Sequence, residues 1–276
     1  MAPGQEAHMD YENIIYTKER DTGIATITMN RPAPLNAYTQ EMVEEMLAAI
    51  DDMRKDDAIQ VLVLTGTGRG FCIGADIRIP VRPFAGKAIG GIFELREGIH
   101  LLAWNLWRLD KITIAAINGM TACGGLTLAL VCDFRIASDQ ALFTEASLVN
   151  GFLPDEGELY FLPRVLGREK AMEMILLREQ LSAPEALGIG LVGQVVPHAE
   201  LEKSTRQLAL RICQGPPIIQ RIMKRSLIKQ LDMDFWSAME DTQLAQGVSS
   251  NTDDMRQAGK AFREKQRPVF ERAGKE

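Results

Sequence analysis

The stretch at 112–138 constrains the fold more than any other part of the chain. Its first six residues, Ile112–Ile117, are apolar and mostly β-branched, which predicts a strand covered on both faces. A turn at Gly119 follows, and the pair Gly124 and Gly125 then opens a short apolar helix. A buried strand that leads into a helix through a glycine turn is typical of an α/β fold.

The start of this helix has a chemical property as well. The first N–H groups of a helix have no acceptor within it and lie at the positive end of its dipole, so they can receive a developing negative charge. Glycine at 124 and 125 also lets a ligand approach the backbone. The turn lacks Gly-x-Gly-x-x-Gly and a Gly-Lys-Ser/Thr ending, so nucleotide sites are excluded. Two interpretations stay open, a packing device and an anion or oxyanion site.

Composition narrows the class of protein. A chain of 276 residues, 46% hydrophobic and 25% charged, predicts one main domain with a sizeable core. Its formal charge of −6, without a basic stripe carrying aromatic residues, disfavours a nucleic-acid partner. The sequence has no signal-peptide pattern and no long apolar run, so we expect a cytoplasmic protein without a membrane partner.

Cysteine and histidine usage argues against metal or triad chemistry. The four cysteines form no Cys-x-x-Cys pair and fit a reducing compartment. A Ser/His/Asp triad would have to use His100, because His8 lies in the N-terminal segment that is predicted to be disordered and His198 lies in a predicted loop. No metal-ligand cluster can be assembled from the sequence. We therefore expect no metal, and we interpret His100 as structural.

Apolar spacing predicts the other elements. Strands at 13–16 and 24–29 form an opening hairpin, and Thr39 caps a helix whose apolar positions continue to Met53. A buried strand at 61–65 precedes a second glycine loop, and 93–109 has helical periodicity. The last third is predicted to be helical. The remaining predictions are a strand at 141–143 and helices at 160–166, 169–177, 200–214, 218–230, 234–246 and 253–263.

Basic residues follow the second glycine loop. Arg78, Arg82 and Lys87 lie within a few residues of its end. Their charges fit a solvated patch or an anchor for a phosphate-bearing ligand, and the residues alone leave both interpretations open.

Several short segments recur in a specific order. The two glycine loops read Phe-Cys-Ile-Gly-Ala-Asp-Ile at 71–77 and Asn-Gly-Met-Thr-Ala-Cys-Gly-Gly-Leu-Thr-Leu-Ala-Leu-Val-Cys-Asp at 118–133. The other segments are Asn-Arg-Pro at 30–32, Leu-Asn-Ala at 35–37, Leu-Pro-Arg-Val-Leu-Gly at 162–167, Ser-Ala-Pro-Glu-Ala-Leu-Gly at 182–188, Gly-Leu-Val at 190–192 and Phe-Arg-Glu-Lys-Gln-Arg-Pro at 262–268. Over residues 11–270 the chain strongly resembles the crotonase (enoyl-CoA hydratase/isomerase) superfamily.

The resemblance implies an α/β fold, a crotonase-like spiral of ββα units with a C-terminal helical region. It implies a flexible N-terminus at 1–10, a core at 11–199, and helices at 200–276 that serve trimerisation and cover the active site. The implied assembly is a homotrimer or a dimer of trimers. The implied substrate is an acyl-CoA thioester, with CoA as part of the substrate and no separate cofactor.

The resemblance also assigns site residues. Two backbone N–H groups that hold the thioester oxygen fall on Ala75 and Gly124, in agreement with the argument from the helix start. Such donors contribute roughly 3 to 4 kcal/mol each to an enolate-like transition state. The residues assigned to the CoA moiety are Ala37, Ile73, Asp76, Ile77, Arg78 and Lys265, with Arg82 and Lys87 as further candidates for its phosphates.

The chain departs from the hydratase pattern at the two acids. Where a hydratase carries glutamates, this sequence has Thr127 and Ser147. Neither hydroxyl can replace a carboxylate as a base at neutral pH. The candidate replacements are Asp155, where dienoyl-CoA isomerases of the family carry an aspartate, and the nearby Glu156 and Glu145. Pro-Asp-x-Gly is also favourable turn chemistry, so a purely structural loop is the competing interpretation.

The sequence therefore predicts a crotonase-family lyase, isomerase or hydrolase that stabilises a thioester enolate in a backbone oxyanion hole. Isomerisation, C–C hydrolysis or decarboxylation is favoured over standard hydration. Two alternatives remain, a hydratase with a relocated acid/base and a CoA-ester binding protein without catalysis, because a fold alone does not determine function.

Overall fold

The computed structural model describes residues 11–79 and 95–270. The predicted flexible N-terminus at 1–10, Arg82, Lys87 and the first residues of the helix predicted at 93–109 lie outside these ranges. The described strands are β1 (Ile14–Glu19), β2 (Ile24–Met29), β3 (Val61–Gly66), β4 (Gly70–Cys72), β5 (Ile112–Ile117), β6 (Met120–Ala122), β7 (Phe134–Ser138), β8 (Leu142–Thr144), β9 (Leu181–Ser182) and β10 (Gln194–Val196).

The strands divide between two sheets. Within the described ranges, the larger sheet has the order β1-β2-β3-β5-β7-β10 and the smaller one has the order β4-β6-β8-β9. Strands β1 and β2 form the predicted antiparallel hairpin, and the larger sheet is parallel from β2 onward. From β3 to β8, successive strands alternate between the sheets, so β3 with β4, β5 with β6 and β7 with β8 each form the paired strands of one repeat. This arrangement confirms the predicted ββα spiral.

Helices cover the sheets and make up the last part of the chain. They are α1 (Gln40–Lys55), α2 (Ile99–Arg108), α3 (Gly124–Leu130), α4 (Glu158–Leu166), α5 (Arg168–Met172), α6 (Ala183–Gly188), α7 (Leu201–Cys213), α8 (Pro217–Gln230), α9 (Phe235–Ser249) and α10 (Asp253–Arg263). Among the described helices, none is long and apolar enough to cross a membrane.

Most element predictions are confirmed. The bounds of β2, β5 and α10 are those predicted, and Thr39 caps α1 by accepting a hydrogen bond of 3.2 Å from the Met42 N–H. The helix predicted at 169–177 instead consists of α5 and a π-helical turn at Glu173–Leu177. Strands β4, β6, β9 and β10 were not predicted, because two or three residues are too few to display an alternating pattern.

The core lies on both faces of the larger sheet. Leu62 and Leu64 of β3 face the main core, whereas Val61 and Val63 face a second cluster beneath α7. A strand covered on both faces must be apolar at every position, which explains the uninterrupted run in the sequence.

The smaller sheet positions the two glycine loops. Strands β4 and β6 pair in parallel, with Gly70 opposite Met120 and Cys72 opposite Thr121. The carboxyl ends of these strands therefore lie side by side. The loop that begins at Ile73 and the turn into α3 start next to each other.

Candidate active site

The two glycine loops are in contact. Gly74 has φ of +92°, and a Cβ atom at this position would lie 2.9 Å from Cys123 Cβ and 3.2 Å from the Gly124 nitrogen. Neither the backbone conformation nor the space accommodates a side chain without strain. Glycine at 74 is thus required for the loops to approach, and the approach brings Ala75 next to the start of α3.

The backbone of the first loop is held by a single-residue bridge to Tyr38. The Tyr38 N–H donates to Gly74 O at 2.9 Å, and the Asp76 N–H donates to Tyr38 O at 2.9 Å. Because successive peptide groups in such a ladder point to opposite sides, the N–H of Ala75 points away from Tyr38. Ala75 is exposed, and its N–H has no acceptor among the described residues. It is free to bind a ligand oxygen.

The second N–H belongs to Gly124, the first residue of α3. The Glu156 carboxyl lies against this end of the helix, and its interaction with the Gly124 N–H lowers its pKa. Glu156 Oε2 lies 2.2 Å from the position of a Cβ atom at Gly124, and Glu156 Oε1 accepts a hydrogen bond from the Tyr38 hydroxyl. The Glu156 carboxyl therefore lies where the resemblance places the thioester oxygen.

Glu156 has an unusual electrostatic environment. Its side chain comes from the loop before α4 and the residue is 8% exposed. Burial raises the pKa of this carboxyl to about 8, the charge of Glu158 adds to the increase, and the Gly124 N–H opposes it. At neutral pH the carboxyl carries a proton in most molecules and can lose it at little cost, which suits a group that both removes and returns protons.

Glu158 is a site residue that sequence reasoning missed. It begins α4 and is fully buried, and its Oε2 accepts a hydrogen bond of 3.1 Å from the Glu156 N–H. Burial raises its pKa to about 7, with the charge of Glu145 contributing. Its carboxyl adjoins the Thr127 hydroxyl. The sequence does contain one signal for Glu158, because it lies two positions after Glu156 in an acidic segment. The preceding residue, Gly157, has φ of +132°, and a Cβ atom at this position would lie 2.8 Å from the Thr127 methyl group.

Glu145 lies beside Ser147, as Glu158 lies beside Thr127. It is fully buried, and it accepts a hydrogen bond of 2.6 Å from the Ser147 hydroxyl and another from the Ser147 N–H. The carboxyls of Glu145 and Glu158 thus adjoin Ser147 and Thr127, the two residues that the sequence resemblance aligns with the hydratase glutamates. In the described part of the chain, no group of three or more acidic, histidine or cysteine side chains is arranged to hold a metal ion.

Asp155 differs from these carboxyls in its exposure. Its residue is exposed, and its backbone oxygen lies 2.6 Å from His100 Nε2. His100, interpreted from the sequence as structural, therefore fixes the loop from α2. Of the three predicted acids, Glu156 lies at the Gly124 N–H, Glu145 lies beside Ser147, and Asp155 lies on the surface.

A charged network follows the first loop. Buried Asp76 accepts from Arg31 at 3.0 Å and from two nitrogens of Arg78 at 2.7 Å each. Hydrogen bonds from Arg78, supported by Arg31, hold the pKa of the Asp76 carboxyl well below its usual range. The Arg78 side chain is 66% exposed, so Asp76 holds one face of a guanidinium whose other face is open to solvent.

The other residues assigned to CoA occupy different environments. Ala37 is buried, and its backbone oxygen accepts a hydrogen bond from Arg31. Ile73 is half-buried and Ile77 is exposed on the same loop. Lys265 is exposed beyond α10, and no interaction among the described residues joins it to this loop.

Comparison with known proteins identifies the family. A family model described as enoyl-CoA hydratase/isomerase matches residues 19–273. The chain belongs to the enoyl-CoA hydratase/isomerase family. Relatives in this family include enzymes that act on CoA thioesters.

Relatives in this family carry out several reactions. The chain is 32% identical to trans-2-decenoyl-acyl-carrier-protein isomerase of Streptococcus mutans, over 95% of this chain and 99% of that protein. It is 35% identical to 1,2-epoxyphenylacetyl-CoA isomerase of Escherichia coli, over 91% and 95%. The solved structure of enoyl-CoA hydratase from Bacillus anthracis is 29% identical and superposes with a TM-score of 0.86, covering 94% of this chain and 99% of that one. Family membership therefore does not determine which reaction is catalysed, and the reaction has to be inferred from the site residues.

Proposed function

We propose that this protein is an acyl-CoA isomerase that moves a carbon–carbon double bond, with Glu156 as the acid/base and the N–H groups of Ala75 and Gly124 as the oxyanion hole. The observation that carries the proposal is the position of the Glu156 carboxyl at the Gly124 N–H. Glu145 and Glu158 are fully buried and bonded to protein groups, so Glu156 is the better placed of the three to touch a substrate.

The thioester oxygen and the Glu156 carboxyl compete for the same N–H. When the thioester oxygen accepts the Gly124 N–H, it displaces the Glu156 carboxyl from that donor. The displaced carboxyl then lies beside the acyl carbons, since these are attached to the carbonyl carbon. The base then lies beside the protons that the reaction moves.

The chemistry needs one carboxyl. Ionised Glu156 removes a proton from the α-carbon of a 3-enoyl thioester, and the C–H electrons form a dienolate whose charge rests on the thioester oxygen. The two N–H groups stabilise that charge. Neutral Glu156 then returns the proton to the γ-carbon, which leaves a 2-enoyl thioester and restores the carboxylate. No proton, water or electron is consumed overall.

Binding and assembly form part of the same proposal. We propose that Arg78, which is oriented by Asp76 and largely exposed, binds a CoA phosphate. Helix α9 exposes Phe235, Trp236 and Leu244, which are 68%, 75% and 73% exposed. Apolar surface of this kind favours a protein partner, and we propose a homotrimer or a dimer of trimers.

The test compares conservative amide variants. Glu156→Gln keeps the size and the acceptor oxygen but removes the titrating group, and we expect a loss of about 10²- to 10⁴-fold in isomerisation of 3-enoyl-CoA esters. Exchange of substrate protons in deuterated water should fall in parallel. Glu169→Gln removes an exposed carboxyl from α5, outside the candidate site, and is the control; it should retain turnover within a few fold. Full activity of folded Glu156→Gln would refute the assignment.

A second candidate is hydration by the relocated pair Glu158 and Glu145. The observation in its favour is that Thr127 Oγ1 and Glu158 Oε1 are buried, adjoin each other and lack a hydrogen-bond partner among the described residues. A water molecule there would satisfy both. Formation of 3-hydroxyacyl-CoA from a 2-enoyl ester, abolished by Glu158→Gln and by Glu145→Gln, would select this function over isomerisation.

A further inference from the structure

The geometry points to Tyr38 as a positioning residue that supports the ionised form of Glu156 during turnover. This inference rests on the proposed function of Glu156. It concerns a residue that the sequence motifs did not assign. Its hydroxyl donates to Glu156 Oε1 and lies 2.9 Å from the position of a Cβ atom at Gly124, at the centre of the candidate site.

The first step of the argument concerns donors. Among the described residues, the Tyr38 hydroxyl donates to the Glu156 carboxyl, and the Gly124 N–H interacts with the same carboxyl. Burial and the neighbouring Glu158 both disfavour a charge on Glu156, so the ionised form depends on these two donors.

The second step concerns the loaded site. A thioester oxygen that enters the oxyanion hole takes the Gly124 N–H away from Glu156. Tyr38 then remains as the donor that stabilises the carboxylate when it must act as a base. A hydrogen bond to a charged group contributes more than one between neutral groups, so this single hydroxyl controls how much of the base form exists.

The third step concerns placement. Tyr38 is 7% exposed, and its backbone bonds to Gly74 and Asp76 on either side of Ala75. The residue that carries the hydroxyl is therefore hydrogen-bonded, through its backbone, to the loop that supplies the Ala75 N–H. Any shift of Ala75 is shared by Tyr38, so the donor for the base and the donor for the thioester oxygen keep a fixed relation.

The test is Tyr38→Phe, which removes the hydroxyl and keeps the ring and the backbone bonds. We expect the rise of kcat with pH to move upward by about one to two pH units, since a hydrogen bond to a charged group is lost. At pH 7 kcat should fall about 10- to 100-fold with little change in KM, and the deficit should shrink as the pH is raised. Tyr16→Phe removes a hydroxyl that donates to Asp52 at 2.8 Å, away from the site, and serves as the control.

A second measurement separates this inference from the proposed function. The carboxyl band of Glu156, identified by its loss in Glu156→Gln, can be titrated by infrared difference spectroscopy in the free enzyme. Its midpoint should rise in Tyr38→Phe. An unchanged midpoint and an unchanged kcat profile would overturn the role of Tyr38 and leave the proposed function intact. Full turnover by Glu156→Gln would instead overturn the proposed function, whatever the midpoint in Tyr38→Phe.

Discussion

Replacement of Glu158 by glutamine should change how the stability of the protein depends on pH. The Glu158 carboxyl is fully buried and lies near two other carboxyls, those of Glu145 and Glu156. Glutamine keeps the shape and the acceptor for the Glu156 N–H but cannot ionise. The substitution therefore isolates the cost of placing a charge at this position.

The magnitude follows from the raised pKa. The carboxyl titrates near 4.5 in the unfolded chain and near 7 in the folded protein, so the folded state holds its proton more tightly. The resulting stabilisation is fully present below pH 4.5 and is lost as the pH rises through 7. Integrated over that window, the loss is about 3 kcal/mol of unfolding free energy. The wild-type protein should lose this amount, and Glu158→Gln should not.

The assay is urea unfolding at pH 5 and at pH 8.5. Relative to wild type, Glu158→Gln should gain about 2.5 kcal/mol between the two values, since a small part of the loss occurs below pH 5. Glu169→Gln removes a carboxyl from an exposed position of α5 and is the matched control. Because the charge of Glu158 raises the pKa of Glu156, the variant should also lower the midpoint of the kcat/KM profile. Parallel stability curves for variant and wild type would refute the reasoning.

Two further predictions concern packing and charge away from the carboxyls. A Cβ atom at Gly125 would lie 2.0 Å from the backbone oxygen of Cys72, so Gly125→Ala should cost about 1–3 kcal/mol or more in urea unfolding, whereas Gly188→Ala, with open space, should cost far less. Lys224 is 4% exposed and bonds Asp133 at 2.6 Å, so Lys224→Met should cost about 3–5 kcal/mol by leaving that carboxylate uncompensated; an unchanged urea midpoint would contradict it.

The sequence was sufficient for the elements with strong local signals. Strand β5 is six buried residues with a β-branched pattern, and α1 begins at a threonine cap, so both could be located from neighbouring residues alone. The two glycine loops were located by their motifs, and the structure brings Gly74 against Gly124.

The roles of Tyr38 and Glu158 could not be predicted from local sequence patterns. Tyr38 reaches the site because its backbone pairs with Ala75, a contact across 37 positions of the chain that leaves no local pattern. Glu158 is recognisable as an acid, but its complete burial beside Thr127 exists only in the folded chain. Tertiary contacts decide both cases.

The contact among Thr127, Gly157 and Glu158 limits how this protein can change its chemistry. The space beside Thr127 already holds the Glu158 carboxyl, and a Cβ atom at Gly157 would lie 2.8 Å from the Thr127 methyl group. A glutamate at 127 would have to enter that occupied space. The scaffold can thus supply a carboxyl there from α3 or from α4, but not from both. An evolutionary route between the two arrangements must exchange both residues, and intermediates with one change would carry either two crowded acids or none.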